Sequence, residues 1–439
     1  MPISSLVKDQ AQDLLNFIDT SPSPWHAVST TEQRLLGKGY VQLHESQTWQ
    51  LSAGGLYYVV RGGSSIIAFT IGSNELTKSG LRVVGAHTDS PGLRLKPKAA
   101  HAADGFARLG VEVYGGPILA TFTDRDLSFA GRVNVRPSDG ISLDSFKSHL
   151  IKFDKPMLRL PNLAIHMNRE VNEQGLKLNK QTELPLISGL VAEAVGAEQQ
   201  FLNILAEHLK VNAADIITWE LNVFDTQKGS FWGANDEFIA NSQLDNLASC
   251  HAALTALLDS AHHNSTCICA LFDHEEIGSE SAIGAGGSFL ADIVQRITSN
   301  MGLSEEARQQ TIAQSFFISA DMAHAYHPNF SAAYEPCHRV MVNSGPVIKT
   351  NANHRYSTSA ESAARFINLC QKAGVPYQQY AHRTDLSCGS TIGPIVASSL
   401  GIPGVDVGSP IWAMHSLRES GGTLDHDYMI KVLKILYAS

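Results

Sequence analysis

The chain has 439 residues, 44% hydrophobic and 17% charged; this is an ordinary globular balance, too long for one core, and predicts two or three domains. A net charge of -9 with no Lys/Arg block offers no basic face to nucleic acid, and no apolar run approaches the roughly 20 residues of a membrane span. Residues 1–20 carry Lys8 and Asp9 and no long apolar core, so they read as no secretory signal. Of the six cysteines, Cys267 and Cys269 share one face of an apolar run and read as reduced core residues in preference to a metal or redox pair, which predicts a cytoplasmic protein.

The first segment predicts α/β structure. Residues 10–18 have helical apolar spacing, and the Ser21-Pro22-Ser23-Pro24 turn stops them. Residues 57–60 and 65–71 read as strands. Another spans 81–85 and runs into Ala86-His87-Thr88-Asp89-Ser90-Pro91-Gly92. From about 93 to 232 the texture becomes alternating β pattern, as in Val111-Glu112-Val113-Tyr114 and Leu127-Ser128-Phe129-Ala130, broken by Gly and Asp turns and by a helix at 198–209. From Asn241 onward α/β texture returns, with helices at 244–258 and 361–373 and strands at 266–272, 315–320 and 404–407. The pattern predicts one α/β domain interrupted by a mostly β insertion.

Chemistry concentrates at the ends of these elements. Directly after the strand at 266–272 the chain reads Asp273-His274-Glu275-Glu276-Ile277-Gly278-Ser279. A strand that ends in two adjacent glutamates sends one carboxylate to each side, so one can ligate a metal while the other handles a proton. Glu-Glu alone is a common surface dipeptide, and position supplies the weight. His87 and Asp89 follow the strand at 81–85, Asp245 opens the helix at 244–258, Asp321 follows the strand at 315–320, and His415 follows 404–407 through a Gly/Pro loop. Sites in open α/β sheets form outside the carboxyl ends of the strands.

Imidazole nitrogen and carboxylate oxygen are normal zinc donors. Two metals about 3.5–4 Å apart need a shared ligand, and Asp245, short and beside Asn246 at a helix start, suits that bridge best. Asp89, two residues from His87, is placed to orient the imidazole from behind; its plainer reading is a cap on the Ser90-Pro91 turn. His274, His324 and His327 offer a rival metal set, but His274 reads more simply as a structural histidine. His262-His263 read as a favourable placement at the negative end of a helix.

His87-x-Asp89, Asp245-Asn246, Glu275-Glu276, Asp321 and His415, in that order, resemble the co-catalytic zinc exopeptidases. More specific stretches are Ser21-Pro22-Ser23-Pro24-Trp25-His26-Ala27-Val28, Leu163-Ala164-Ile165-His166 and Ala413-Met414-His415-Ser416. Together, and nearly end to end, they resemble the aspartyl aminopeptidase family. The fold this implies is α/β: a zinc-peptidase domain with a mixed central sheet flanked by helices, residues 1–93 plus 237–439, interrupted by a β-rich oligomerisation domain, residues 94–236.

The resemblance also implies roles. His87 and Asp321 hold one zinc, Glu276 and His415 hold the other, and Asp245 bridges the two. Glu275 is the general base. His324, Lys349 and Tyr356 face the substrate. His166, which by composition alone is a structural strand or loop histidine, reaches a neighbouring subunit's active site. Two zinc ions per subunit are implied, and manganese or cobalt suits the same ligands at one site. The implied substrates are peptides with an N-terminal Asp or Glu, and the implied assembly is a homo-oligomeric dodecamer. Two other readings stay open: another di-zinc amidohydrolase on this scaffold, such as a carboxypeptidase or N-acyl deacylase, and a non-catalytic shell, which the intact Glu275 and full ligand set disfavour.

Overall fold

In the computed structural model, which describes residues 3–137, 145–191, 194–260 and 264–439, the strand Leu81–His87 lies inside a nine-stranded sheet. Thr266–Phe272 runs parallel on one side, with Phe272 opposite His87, and Phe316–Ala320 runs parallel on the other, with Ser319 opposite Gly85. Gly404–Gly408 follows, again parallel. All residues of these last three strands are buried. A strand covered on both faces has no reason to alternate, which is why Thr266–Phe272 reads as a near-continuous apolar run, whereas Gly404–Gly408 buries Asp406, whose carboxylate accepts the Ser357 N–H. Antiparallel strands, Ser65–Thr70 on one side and Val347–Thr350 on the other, make the sheet mixed.

Strand pleating distributes the core. Val84 and Ala86 join one apolar cluster with the helices Ser5–Asp19, Pro24–Gly37, Leu244–Asp259, Ala360–Ala373 and Thr423–Tyr437. Leu81 and Val83 point the other way, into a cluster with Phe289–Asn300 and Ile392–Leu400. Cys267 and Cys269 share the first cluster, and all six cysteines are free thiols. Burial pushes the thiols of Cys267 and Cys269 up to about 12, so both are inert packing residues as expected.

The Ser-Pro-Ser-Pro stretch does more than end a helix. Pro24 is the first residue of Pro24–Gly37, where a fixed φ and a missing N–H cost nothing. The preceding helix, Ser5–Asp19, starts earlier than its apolar spacing suggests because the Ser4 hydroxyl caps Val7.

The chain divides into two compact units. The first holds Met1–Asp89, Gly229–Met414 and Glu419–Ser439. It also contains a five-stranded sheet in the order Ser230–Trp232, Phe238–Asn241, Glu419–Gly422, Pro410–Trp412, Ala323–His324. Ser230–Trp232, which sequence texture assigns to the insertion, therefore pairs within this unit. The second unit holds Ser90–Lys228 and His415–Arg418. Its six strands are antiparallel throughout, and helix Ala197–Leu209 packs Phe201 and Leu205 into the same core as Leu93, Phe129 and Leu221. His262 and His263 lie outside the described residues. Among the described residues no helix is long and apolar enough to cross a membrane.

Candidate metal centre

His87 is the last residue of its strand and is 2% exposed. Its Nδ1 lies 3.0 Å from the carbonyl oxygen of Asp89. A carbonyl only accepts, so Nδ1 carries the proton and Nε2 is left as the basic nitrogen. Around Nε2 stand Asp245 Oδ1 at 3.5 Å, Asp321 Oδ1 at 3.6 Å and Glu275 Oε2 at 3.9 Å. Burial disfavours charge on the ring, but Asp321, Asp89 and Glu275 outweigh it and hold the imidazole well above its ordinary value. The pocket therefore calls for positive charge at this point.

Asp89 does something the sequence did not suggest. Its carbonyl, more than its carboxylate at 3.5 Å, orients His87. The carboxylate, fully buried, accepts the backbone N–H groups of Glu275 and Glu276, one on each oxygen at 3.1 Å. One residue thus fixes the imidazole and the paired glutamates together. The glutamates sit on the short 3₁₀ turn Glu275–Ile277, which Phe272 reaches through His274 in the left-handed conformation (φ 66°). The ring of His274 is held by Ser281, 2.8 Å from its hydroxyl. Burial pushes the Glu275 carboxyl up to about 8, against His87, with Asp321 and Glu276 reinforcing the rise.

Asp321 follows Phe316–Ala320 directly. Its Oδ1 accepts the Met322 N–H at 2.6 Å, and Lys349 Nζ lies 3.3 Å from Oδ2 and donates to the Met322 carbonyl at 2.9 Å. Burial raises the Asp321 carboxyl, but Lys349 and His87 more than reverse this and hold it well below the usual range. Asp245 does not sit in a regular first turn. It has φ -82° and ψ 106°, Asn246 has φ -124° and ψ 25°, and the peptide between them is cis. The regular helix begins beyond this kink. Glu419 accepts the Asp245 N–H at 2.9 Å, and the Asn246 side-chain amide donates to the Ala320 carbonyl at 2.9 Å.

The donor set fits a metal. Ligand atoms of His87, Asp245 and Asp321 lie within 4.8 Å of one another, as do those of His87, Glu275 and Glu276. Neutral imidazole and carboxylate oxygen are zinc ligands, and carboxylates crowded into a buried site favour a cation among them. Among the described residues no ligand cluster draws on His274, His324 or His327.

The remaining predicted residues fall as follows. His415 belongs to the second unit; a further short strand, Pro410–Trp412, precedes it, and its Nδ1 lies 3.1 Å from the Gly116 carbonyl, the device seen at His87. His166 is exposed in the second unit. His324 is half-buried at the end of Ala323–His324. Lys349 and Tyr356 are 3% and 4% exposed, with the ammonium 5.3 Å from the ring centroid. Sequence reading missed Glu419 and the bracing role of Asn246; the available signal was an acid four residues beyond His415 and an amide beside Asp245.

The family described as Aminopeptidase I zinc metalloprotease (M18) matches residues 17–437. A probable M18 family aminopeptidase 2 from Ectopseudomonas mendocina is 46% identical over 433 residues, covering 98% of both chains. Ape4, solved in complex with Nbr1, is 36% identical with a TM-score of 0.94 over 100% of this chain and 88% of that one. The mApe1 dodecamer of S. cerevisiae is 28% identical with a TM-score of 0.85, over 98% and 96% of the two chains.

Proposed function

The chain belongs to the M18 aminopeptidase I family of zinc metalloproteases, and from that membership we propose that it removes N-terminal Asp or Glu from peptides. His87, Asp245 and Asp321 would hold one zinc; Asp245, Glu276 and His415 would hold a second. Zinc, when bound, supplies Lewis acidity and lowers the pKa of a water toward neutrality.

The chain's own residues do the rest. Glu275 accepts a proton from the attacking water at its carboxylate and later delivers it to the leaving amine. Its buried surroundings, crowded with carboxylates, suit that exchange, because they bring its pKa toward the working pH. Asp89 keeps Glu275 and Glu276 in register with His87, which fixes base and ligand relative to each other. His166 steadies the developing oxyanion from a neighbouring subunit; the dodecameric form of mApe1 makes such sharing geometrically natural.

The observation that carries the acidic preference is Lys349. A cation with its side chain 4% exposed stands beside Asp321, with two of its three N–H donors directed at Asp321 and the Met322 carbonyl. In this reading the third meets a substrate carboxylate; the Tyr356 ring centroid lies 5.3 Å from the ammonium, and His324 packs against Tyr380, which shares an apolar cluster with Tyr356. The test is a panel of Asp, Glu, Ala and Leu aminoacyl substrates, with N-acylated and carboxyl-blocked peptides, with and without chelator. Chelator-sensitive release of free N-terminal Asp or Glu is expected. Preference for apolar residues, or a requirement for a free carboxyl end, would overturn the reading.

A further inference from the structure

Glu419 is the first residue of Glu419–Gly422 and is 2% exposed. It lies opposite Asn241, the last residue of Phe238–Asn241, in an antiparallel pair. From Asn241 the chain turns through Gln243, in the left-handed conformation at φ 58°, into the kinked stretch that carries Asp245. The first N–H groups of a helix have no partner within it. The kink leaves the Asp245 N–H outside the helical ladder, and the Glu419 carboxylate accepts it at 2.9 Å. One residue further on, the Asn246 side chain is tied to Ala320, the residue before Asp321.

A carboxylate is an expensive choice for this task. Burying a carboxylate beside Asp245 costs free energy that a serine or asparagine acceptor would avoid. In return, an ionised acceptor makes a shorter and roughly twice stronger bond to the N–H than a neutral one. The strength matters because the Asp245 side chain has one correct place, 3.5 Å from His87 Nε2. A ligand shared by two ions must satisfy both at once, and productive sites tolerate about 0.5 Å of error.

We propose that Glu419 is a positioning residue for Asp245: its carboxylate pins the backbone of the shared ligand and so sets the affinity of the centre for metal. This rests on the assignment of Asp245 as a ligand. Residues behind metal ligands typically control about 10–100-fold in affinity. The test measures zinc retention of the full-length protein in competition with a chromogenic chelator, for wild type and for Glu419→Gln, Glu419→Asp and Glu419→Ala. Circular dichroism and the thermal midpoint of the metal-free proteins are followed in parallel.

Glu419→Gln keeps an acceptor oxygen and loses the charge, and is expected to weaken retention about 10-fold. Glu419→Ala is expected to weaken it about 100-fold, and Glu419→Asp to recover part of the loss. The metal-free midpoints should differ far less than the metal affinities. If wild type retains zinc and all three variants retain it equally, the role of Glu419 is wrong. If the variants fail to fold even with zinc present, Glu419 is a structural residue and the proposal also fails. Loss of retention in wild type itself would instead remove the ligand assignment of Asp245.

Discussion

Lys349 and Asp321 form a buried ion pair, with Nζ 3.3 Å from Oδ2 and side chains 4% and 13% exposed. They are 28 residues apart, and the pairing depends on the sheet: Val347–Thr350 lies against Gly404–Gly408, which lies against Phe316–Ala320. One cation thereby serves a candidate metal ligand and, in the proposed function, a substrate carboxylate as well. A truncation at this position has two consequences, and they can be told apart.

Lys349→Ala should lower kcat/KM on every substrate, because Asp321 loses its partner. On Asp and Glu substrates the fall should be larger by more than tenfold, since breaking a desolvated charge pair costs about 2–5 kcal/mol. The measurement is kcat/KM across Asp, Glu, Ala and Leu substrates. An equal fall on all four would assign Lys349 to the support of Asp321 alone.

Glu275→Gln should keep the metal and lose the proton transfer. Activity should drop by roughly 10²–10⁴-fold, the usual contribution of a general base, while metal content stays at the wild-type level. Asp245→Ala should lose metal, because in the proposed centre Asp245 is the ligand both ions would share. Metal analysis of the purified variants checks both. Metal lost in Glu275→Gln and kept in Asp245→Ala would reverse the two roles.

The grouping of the candidate ligands was legible in the sequence because residues at strand ends stay where the strands put them. Thr266–Phe272 was read to the residue, since a strand buried on both faces is an unbroken apolar run. Helix Pro24–Gly37 was not, because proline marks a start as readily as a stop. The final helix, Thr423–Tyr437, was hidden by its own interior: Asp425, His426 and Asp427 are all buried, which erases the polar stripe that periodicity looks for. The double use of Asp89 was out of reach for a different reason. It requires knowing that Leu81–His87 and Thr266–Phe272 are neighbours in register, which no local pattern states.

Acid should destabilise the first unit through a buried histidine pair. His251 Nε2 is 2.8 Å from Asp13 Oδ2, and its Nδ1 is 2.8 Å from His426 Nε2; Arg34 binds both oxygens of Asp13 at 2.8 Å. Burial drives both imidazoles below their ordinary value, well below for His426, with His251 adding to the depression there. The unfolded chain binds protons near pH 6.5 while the folded one does not, so stability is full above that pH and is lost as pH falls below it. Each such group contributes up to about 1.4 kcal/mol per pH unit. Denaturant unfolding of the metal-free protein at pH 7.5, 6.5 and 5.5 should show this slope, and His426→Gln should flatten it. An unchanged slope in the variant would assign the titration to other groups.

His166 should act across a subunit boundary. It is exposed on the second unit, in a stretch where Leu163, Ile165 and Met167 are 67%, 48% and 75% exposed. So much apolar surface is unusual for an isolated chain and suits contact with another copy. An imidazole N–H donated to the developing oxyanion has a known scale, since one lost donor costs about 10²–10³ in kcat. Activity should then depend on assembly, and a dissociated subunit should be nearly inactive with its metal still bound. Co-expression of His166→Ala with Glu275→Gln gives the decisive measurement. Each variant alone is dead, but a hybrid particle can combine wild-type Glu275 from one chain with wild-type His166 from its neighbour. Hybrids should regain a fraction of the activity that tracks the number of mixed contacts. Hybrids that assemble and stay as inactive as either parent would place His166 in its own subunit's chemistry or outside the chemistry altogether.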